Sequence, residues 1–210
     1  YWYYTRAKKL SAGANSYGIY CSDNCIIYLL LTIFGFSIIN TCLMQNDLNN
    51  VAHALAGNAT YGACKDGERG ADIYLLANSK EQAGIVFNEC YSQIKASRFL
   101  APRFRTLRDG VYYDAMSASI KHRSSDSHRL DGLNPHMAIF DEIHEYRDFK
   151  LINIIKRKIV KRTQPLVIYI TTMGNVIDGP LAYFYGLFTD AMEGKLATDV
   201  ADRMFGYIAE

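Results

Sequence analysis

The chain has 210 residues, a length that allows one domain with a buried hydrophobic core, or one domain with an appendage. Its net charge of +2 is close to neutral, so composition alone neither requires nor excludes a polyanionic partner. The five cysteines show no paired metal-ligand spacing, which argues against a zinc site.

The first 60 positions differ in composition from the rest of the chain. Only five of the 23 basic and 21 acidic residues lie there, and residues 25–44 carry no charge. That stretch has the length of a membrane-spanning helix, and Arg6, Lys8 and Lys9 would form its positive flank. Three interpretations stay open: a membrane anchor, an apolar helix buried in the core, or sequence unrelated to the following domain, such as the product of a shifted reading frame. The chain opens on Tyr1, so we expect a fragment.

From residue 53 onward the sequence has the pattern of an α/β domain. Ser79 and Gln82 have the spacing of a capping box at the start of a helix, and Pro180 suits the first turn of another. Two short runs, 111–113 and 118–120, could pair as a small antiparallel insertion. Strands separated by helices predict a largely parallel, doubly wound sheet. The main predicted elements are strands over 72–77, 136–140 and 166–170 and helices over 79–94, 149–161 and 180–192.

The feature that points to chemistry is an apolar run, 137–140, that leads directly into Asp141 and Glu142. This pattern predicts a buried strand with an acidic pair at its carboxyl end, although a strand that ends in solvated acids fits too. The strand over 166–170 ends in Thr171 and Thr172, which could also be hydroxyls that cap their own strand. In a parallel sheet both ends lie at the edge where α/β proteins place their sites.

The histidines near this run have no metal-ligand spacing. We expect His122, His128 and His136 to be surface residues, and His144 and Glu145 to be solvated or to face a substrate. A phosphate-binding loop of the form Gly-x-x-x-x-Gly-Lys-Ser/Thr is absent from the sequence, because its one Gly-Lys pair, at 194–195, is followed by leucine.

Three segments, in the right order, resemble the large subunits of tailed-phage terminases, the ATPases that drive viral DNA into procapsids. Residues 66–83 resemble the segment after the family's first helix, 130–144 its Walker B region, and 164–174 its coupling-motif strand. The resemblance implies a P-loop-NTPase-like three-layer α/β sandwich with a mainly parallel sheet. Here the fold would be incomplete at its N-terminal edge. Residues 53–210 would form this ATPase core without the family's C-terminal nuclease domain, and 1–52 would be an atypical apolar segment.

The resemblance also implies roles for single residues. Family members carry an Arg-Lys-Asn-Gly/Ala-Lys-Ser/Thr loop just before a helix that would begin near His53, whereas residues 47–52 here lack both the lysine and the hydroxyl. By the family's motifs, Glu142 would be the catalytic carboxylate that orients water, and Asp141 the acid that holds Mg²⁺ through water. Thr171, Thr172 and Gly174 would form the coupling motif, and Arg162 would be a phosphate-sensing cation.

By the same resemblance, the cofactors are ATP and Mg²⁺. The partners are double-stranded viral DNA, the portal protein, the small terminase subunit and, in the intact protein, other copies in a ring. The place of action is the host bacterial cytoplasm, at the procapsid portal, and a membrane partner is not expected despite the apolar stretch. Because the phosphate loop is missing, we expect an impaired ATPase. The alternative is a non-catalytic remnant, or a DNA- or portal-binding module, of a degraded prophage gene.

Overall fold

The computed structural model describes residues 25–30, 39–44, 48–124, 132–172 and 179–201. The helices are α1 (Leu48–Cys64), α2 (Lys80–Ala96), α3 (Lys150–Ile159), α4 (Pro180–Met192) and the short α5 (Thr198–Ala201). The strands are β1 (Cys25–Leu30), β2 (Ile39–Met44), β3 (Asp72–Ala77), β4 (Arg105–Leu107), β5 (Gly110–Tyr113), β6 (Ala118–Ser124), β7 (Pro135–Phe140) and β8 (Leu166–Tyr169).

The centre of the fold is a six-stranded sheet with the order β4-β5-β6-β3-β7-β8. Strands β6, β3, β7 and β8 are parallel, and β4 and β5 join them as antiparallel strands. The register pairs Leu76 with Phe140 and Phe140 with Tyr169, so β3, β7 and β8 end side by side. The prediction of a largely parallel sheet is confirmed.

Helices cover both faces of this sheet because successive side chains of a strand point to opposite sides. Ile73 and Leu75 of β3 belong to the core under α1 and α2, whereas Tyr74 and Leu76 belong to the core on the other side, with α3 and α4. Helix α1 lies close to the sheet: a Cβ atom added at Gly62 would come within 2.7 Å of the Met137 Cε atom. The three-layer arrangement that the resemblance implies is therefore present.

Strand β6 differs from its prediction. Its pairing with β5 is as expected, but it continues to Ser124 and lies parallel to β3 as an internal strand of the main sheet. Its polar residues find partners that sequence periodicity does not reveal. The Lys121 ammonium lies 3.5 Å from the Asp72 carboxylate, and the His122 ring lies 4.5 Å from the Phe87 ring.

The apolar N-terminal stretch contributes strands rather than one helix. Strands β1 and β2 pair with each other as an antiparallel two-stranded sheet, so they do not form the continuous helix that a membrane anchor or a buried core helix would require. Within the described ranges, no helix combines the length and hydrophobicity needed to cross a membrane. That residues 1–52 are foreign to the family stays a prediction.

Helix α1 begins earlier than expected. We predicted a start near His53, but the helix begins at Leu48. Residues 48–52, where relatives would carry the end of their phosphate loop, are therefore helical in this chain. The first turn of a helix presents free backbone N–H groups that can bind a phosphate, so these positions differ from the family's loop in lacking the lysine and the hydroxyl, not in being helical.

Candidate active site

The ends of β7 and β8 bring the acidic pair (Asp141 and Glu142) and the threonine pair (Thr171 and Thr172) to one edge of the sheet. The backbone nitrogen of Thr172 lies 3.4 Å from the Glu142 Oε2 atom, so the two pairs are in contact. The proximity that we expected from parallel strand ends is confirmed. The last residue of the predicted coupling motif, Gly174, lies outside the described part of the chain.

Asp141 is partly buried at the end of β7. Its backbone nitrogen donates a 2.8 Å hydrogen bond to the Leu76 carbonyl of β3, which holds the residue between the two strands. The pKa of Asp141 is raised to about 6, first by burial and then by the negative charges of Glu142 and Glu145, while a hydrogen bond from the Glu142 backbone and the charge of His144 act in the opposite direction. Asp141 is therefore a carboxyl group whose ionisation is disfavoured by its surroundings.

Glu142 has a backbone conformation that is uncommon for a residue with a side chain. Its φ of 50° and ψ of 57° are left-handed, and this turns the chain from β7 into a 3₁₀ turn at Ile143–Glu145. Such a conformation costs a non-glycine residue about 1–2 kcal/mol, and strain of this kind is concentrated at functional sites. The turn directs the Glu142 carboxylate toward β8, where its side chain is 21% exposed.

The strain predicts an unusual order of stability for two substitutions. Glu142→Gly and Glu142→Ala both remove the carboxylate, so they differ only in backbone preference. Glu142→Gly should be the more stable, by about 1 kcal/mol, since glycine adopts left-handed φ values without penalty. Urea unfolding of the two variants measures the difference. Glu145, which is not among the residues of positive φ, serves as the control: there the alanine variant should be the more stable. Equal stabilities of the two Glu142 variants would contradict the strained conformation.

His144 lies between the two pairs rather than in solvent. Its Nδ1 atom is 3.0 Å from Glu142 Oε2 and 2.9 Å from Thr171 Oγ1, and its side chain is 22% exposed. Its backbone nitrogen also donates to Thr171 Oγ1, at 3.2 Å. The sequence interpretation missed this link, and the signal that could have revealed it was the position of a histidine one turn after a strand that ends in acids. Neighbouring Glu145 accepts a 3.0 Å hydrogen bond from Gln82 Nε2.

Arg162 is not part of this site. Its guanidinium lies at the opposite edge of the sheet, where Nη1 is 3.1 Å from Glu68 Oε1 and Nη2 donates to the Asn134 carbonyl, just before β7, at 2.9 Å. A six-residue strand such as β7 is about 20 Å long, so this edge is far from Asp141. The side chain of Arg162 is 8% exposed and is occupied by these contacts.

His136 corrects a second expectation, because it is buried rather than on the surface. Its side chain is 0% exposed; Nε2 contacts an Asp66 carboxylate oxygen, and Nδ1 lies 3.3 Å from Glu68 Oε2. The latter is an ion-pair distance without hydrogen-bond geometry, since Nδ1 has no hydrogen-bond partner. We call Asp66, Glu68, His136 and Arg162 the basal charge cluster. It joins the segment before β3 to the start of β7 and the end of α3.

The chemistry of the residues at the active edge fits a hydrated divalent cation. A partly exposed carboxylate at a strand end, Asp141, offers the oxygen ligand that Mg²⁺ prefers, and Glu142 beside it can accept a proton or orient a water. The charged groups that act on Asp141 are Glu142, Glu145 and His144. Two of these three groups are acids, so within the described residues the charge around Asp141 is mainly negative.

Comparison with known proteins agrees with this geometry. The family model for the terminase large subunit, ATPase domain, matches residues 57–186. The terminase large subunits of Lactococcus phages p2 and SK1 are each 28% identical over 118 residues, which are 54% of this chain and 22% of each relative. The chain thus spans about a fifth of the length of these curated relatives.

Two solved structures share the fold. The large terminase of bacteriophage HK97 has a TM-score of 0.61 and 23% identity, over 70% of this chain and 31% of that one. The large terminase ATPase domain of Thermus phage P74-26 has a TM-score of 0.53 and 17% identity, over 67% of this chain and 60% of that one. Both structures thus show the fold of this chain in phage large terminases. Since the family model covers more than half of the chain and includes both pairs at the active edge, the chain belongs to the family of phage terminase large subunits, as part of their ATPase domain.

Proposed function

We propose that this chain is the ATPase core of a phage terminase large subunit, in which hydrolysis of Mg²⁺-ATP drives double-stranded DNA into procapsids. The observation that carries the proposal is the 3.4 Å approach of the Thr172 backbone nitrogen to the Glu142 carboxylate. It joins an acidic pair to a polar pair on the next parallel strand, at the edge where α/β sheets place their chemistry.

In this proposal each residue has one role. Asp141 would hold Mg²⁺ through water, and Glu142 would orient the water that attacks the γ-phosphate. Thr171 and Thr172 would respond to that phosphate through Glu142, because the Thr172 backbone nitrogen lies 3.4 Å from the Glu142 carboxylate. Bound Mg²⁺ would neutralise negative charge on the phosphate oxygens. With a pKa of about 6, Asp141 is ionised at neutral pH and can serve as this ligand.

The family supports further proposals about the intact protein. Its partners would be double-stranded viral DNA, the portal protein and the small terminase subunit, and copies of the large subunit would form a ring at the portal, in the host bacterial cytoplasm. We do not include Arg162 in the nucleotide site, because its contacts lie at the basal edge.

We further propose that this chain by itself is a weak ATPase or an inactive one. Residues 47–52 lack the lysine and the hydroxyl of the family's phosphate loop. Among the described residues, the negative charges that act on Asp141 are those of Glu142 and Glu145, and His144 is the one group whose charge acts in the opposite direction. The same observation favours the second candidate, a non-catalytic remnant or a module that binds DNA or the portal and keeps the fold without the chemistry.

The test combines titration calorimetry with Mg²⁺-ATP and a turnover assay of wild type and Glu142→Gln. We expect weak binding and slow turnover, with the rate lower by about 100-fold or more in Glu142→Gln because the water loses its orienting carboxylate. Glu81→Gln, which removes an exposed acid from the first turn of α2, is the charge-matched control and should change nothing.

Each outcome of that test decides between the candidates. Turnover that survives in Glu142→Gln would overturn the assignment of this site. Fast turnover that is lost in Glu142→Gln would support the site but contradict the proposed impairment. Absence of both binding and turnover at millimolar ATP would favour the non-catalytic module.

A further inference from the structure

We propose that His144 is a positioning residue that connects the hydroxyl of Thr171 to the carboxylate of Glu142. The proposal rests on the proposed function, since Glu142 is taken as the water-orienting carboxylate. His144 holds one oxygen of the Glu142 carboxylate. The position of Thr171, just after β8, determines how strongly His144 holds that oxygen. The evidence is a chain of hydrogen bonds across the ends of β7 and β8.

The hydroxyl group of Thr171 has a single proton to donate. Thr171 Oγ1 donates to the Thr172 carbonyl oxygen at 2.8 Å, so this oxygen acts as an acceptor toward its other neighbours. Those neighbours are the backbone N–H of His144 at 3.2 Å and the Nδ1 atom of the same residue at 2.9 Å. Nδ1 must therefore carry a proton, which selects one tautomer of the neutral ring.

The carboxylate of Glu142 lies beside the same nitrogen of His144. Glu142 Oε2 lies 3.0 Å from His144 Nδ1, so the same N–H that reaches Thr171 also reaches Glu142. Oε2 lies 3.4 Å from the Thr172 backbone nitrogen as well. Within the described ranges both contacts of this carboxylate fall on Oε2, which leaves Oε1 to accept a hydrogen from a water molecule.

The position of Thr171, just after β8, affects how Glu142 is held. The Nδ1–H group of His144 is shared between the Thr171 hydroxyl, two residues after β8, and the Glu142 carboxylate, so a displacement of Thr171 changes how strongly this group holds Glu142. The left-handed backbone of Glu142, with its φ of 50°, fixes the root of the side chain and leaves its tip to be held by such contacts. His144 thus transmits the position of the threonine pair to the orientation of Glu142.

The tautomer can be measured without nucleotide. In ¹⁵N-labelled protein, at a pH above the end of the ring's titration, long-range ¹H–¹⁵N correlations should show His144 protonated at Nδ1. Thr171→Val, which removes the acceptor, and Glu142→Gln should each shift the His144 ring nitrogen signals. Thr189→Val is the matched control, because the Thr189 hydroxyl donates to the Tyr185 carbonyl within α4, away from this site. A ring protonated at Nε2, or signals unchanged in both site variants, would overturn the proposal.

Conservative substitution separates positioning from a general structural role. The side-chain amide nitrogen of asparagine occupies nearly the place of histidine Nδ1, whereas that of glutamine occupies the place of Nε2. We expect kcat to fall about tenfold in His144→Gln and His144→Leu, with little change in KM, and to stay close to wild type in His144→Asn. Equal kcat values in the three variants would overturn the proposal, even if all three are equally stable.

The failure of this proposal and that of the proposed function give different results. If the chain hydrolyses no ATP, the proposed function fails, but the tautomer of His144 and its response to Thr171→Val are still measured. If turnover depends on Glu142 while His144→Leu behaves as wild type, only the role of His144 is lost.

Discussion

Replacing Arg162 with methionine is expected to lower the free energy of unfolding by about 3–5 kcal/mol, the range for removing one partner of a buried ion pair. Arg162 and Glu68 are 8% and 19% exposed, so the carboxylate left behind would be largely shielded from water. The variant would also leave the Asn134 carbonyl, at the start of β7, without its 2.9 Å donor. Urea denaturation of wild type and variant measures the loss.

Two comparisons make this prediction specific to the basal charge cluster. Arg157→Met, at an exposed position of α3, should change the stability by no more than about 0.5 kcal/mol. The double variant Arg162→Met, Glu68→Gln should be more stable than Arg162→Met alone, because it removes the unpaired charge. A loss of less than about 1 kcal/mol in Arg162→Met would contradict the buried ion pair. Weaker ATP binding without loss of stability would instead favour the phosphate-sensing role.

Asp141→Asn should make the nucleotide-free protein more stable at neutral pH, by about 1–3 kcal/mol without Mg²⁺. Burial raises the pKa of Asp141 from its ordinary value of 3.8 to about 6. Between these values the folded state keeps a proton that the unfolded state has released, so this residue's contribution to stability falls as pH rises. The decline ends about one pH unit above the folded pKa, and below about pH 4 the two proteins should be equally stable.

The difference between wild type and variant, followed by urea unfolding from pH 4 to pH 8, isolates Asp141 from the other ionisable groups. Asp114→Asn is a control of opposite sign, because Arg105 holds the pKa of the exposed Asp114 below its ordinary value. Asp114→Asn should therefore be slightly the less stable protein at neutral pH. A flat difference for Asp141→Asn across this range would contradict the raised pKa. Under the proposed function, such a gain would measure the stability that the protein gives up to keep an ionisable carboxylate at this position.

Local patterns in the sequence determined most of the secondary structure. Ser79 and Gln82 form both hydrogen bonds of the predicted capping box, and the helix that we expected from Pro180 spans Pro180–Met192. These features depend on residues within one helical turn of one another, so a short stretch of sequence contains all of their interactions. The acidic pair belongs to the same class, because an apolar run followed by charge describes a buried strand end.

The tertiary structure alone decided which remote groups meet. Arg162 and Glu68 are 94 positions apart, and His136 and Asp66 are 70 positions apart, so no window of sequence includes both partners. The same holds for Thr171 and His144, which are 27 positions apart and meet only because β7 and β8 are neighbours. Sequence periodicity shows which side chains avoid water, whereas the partner of a buried charge or hydroxyl is selected by the packing of the whole sheet.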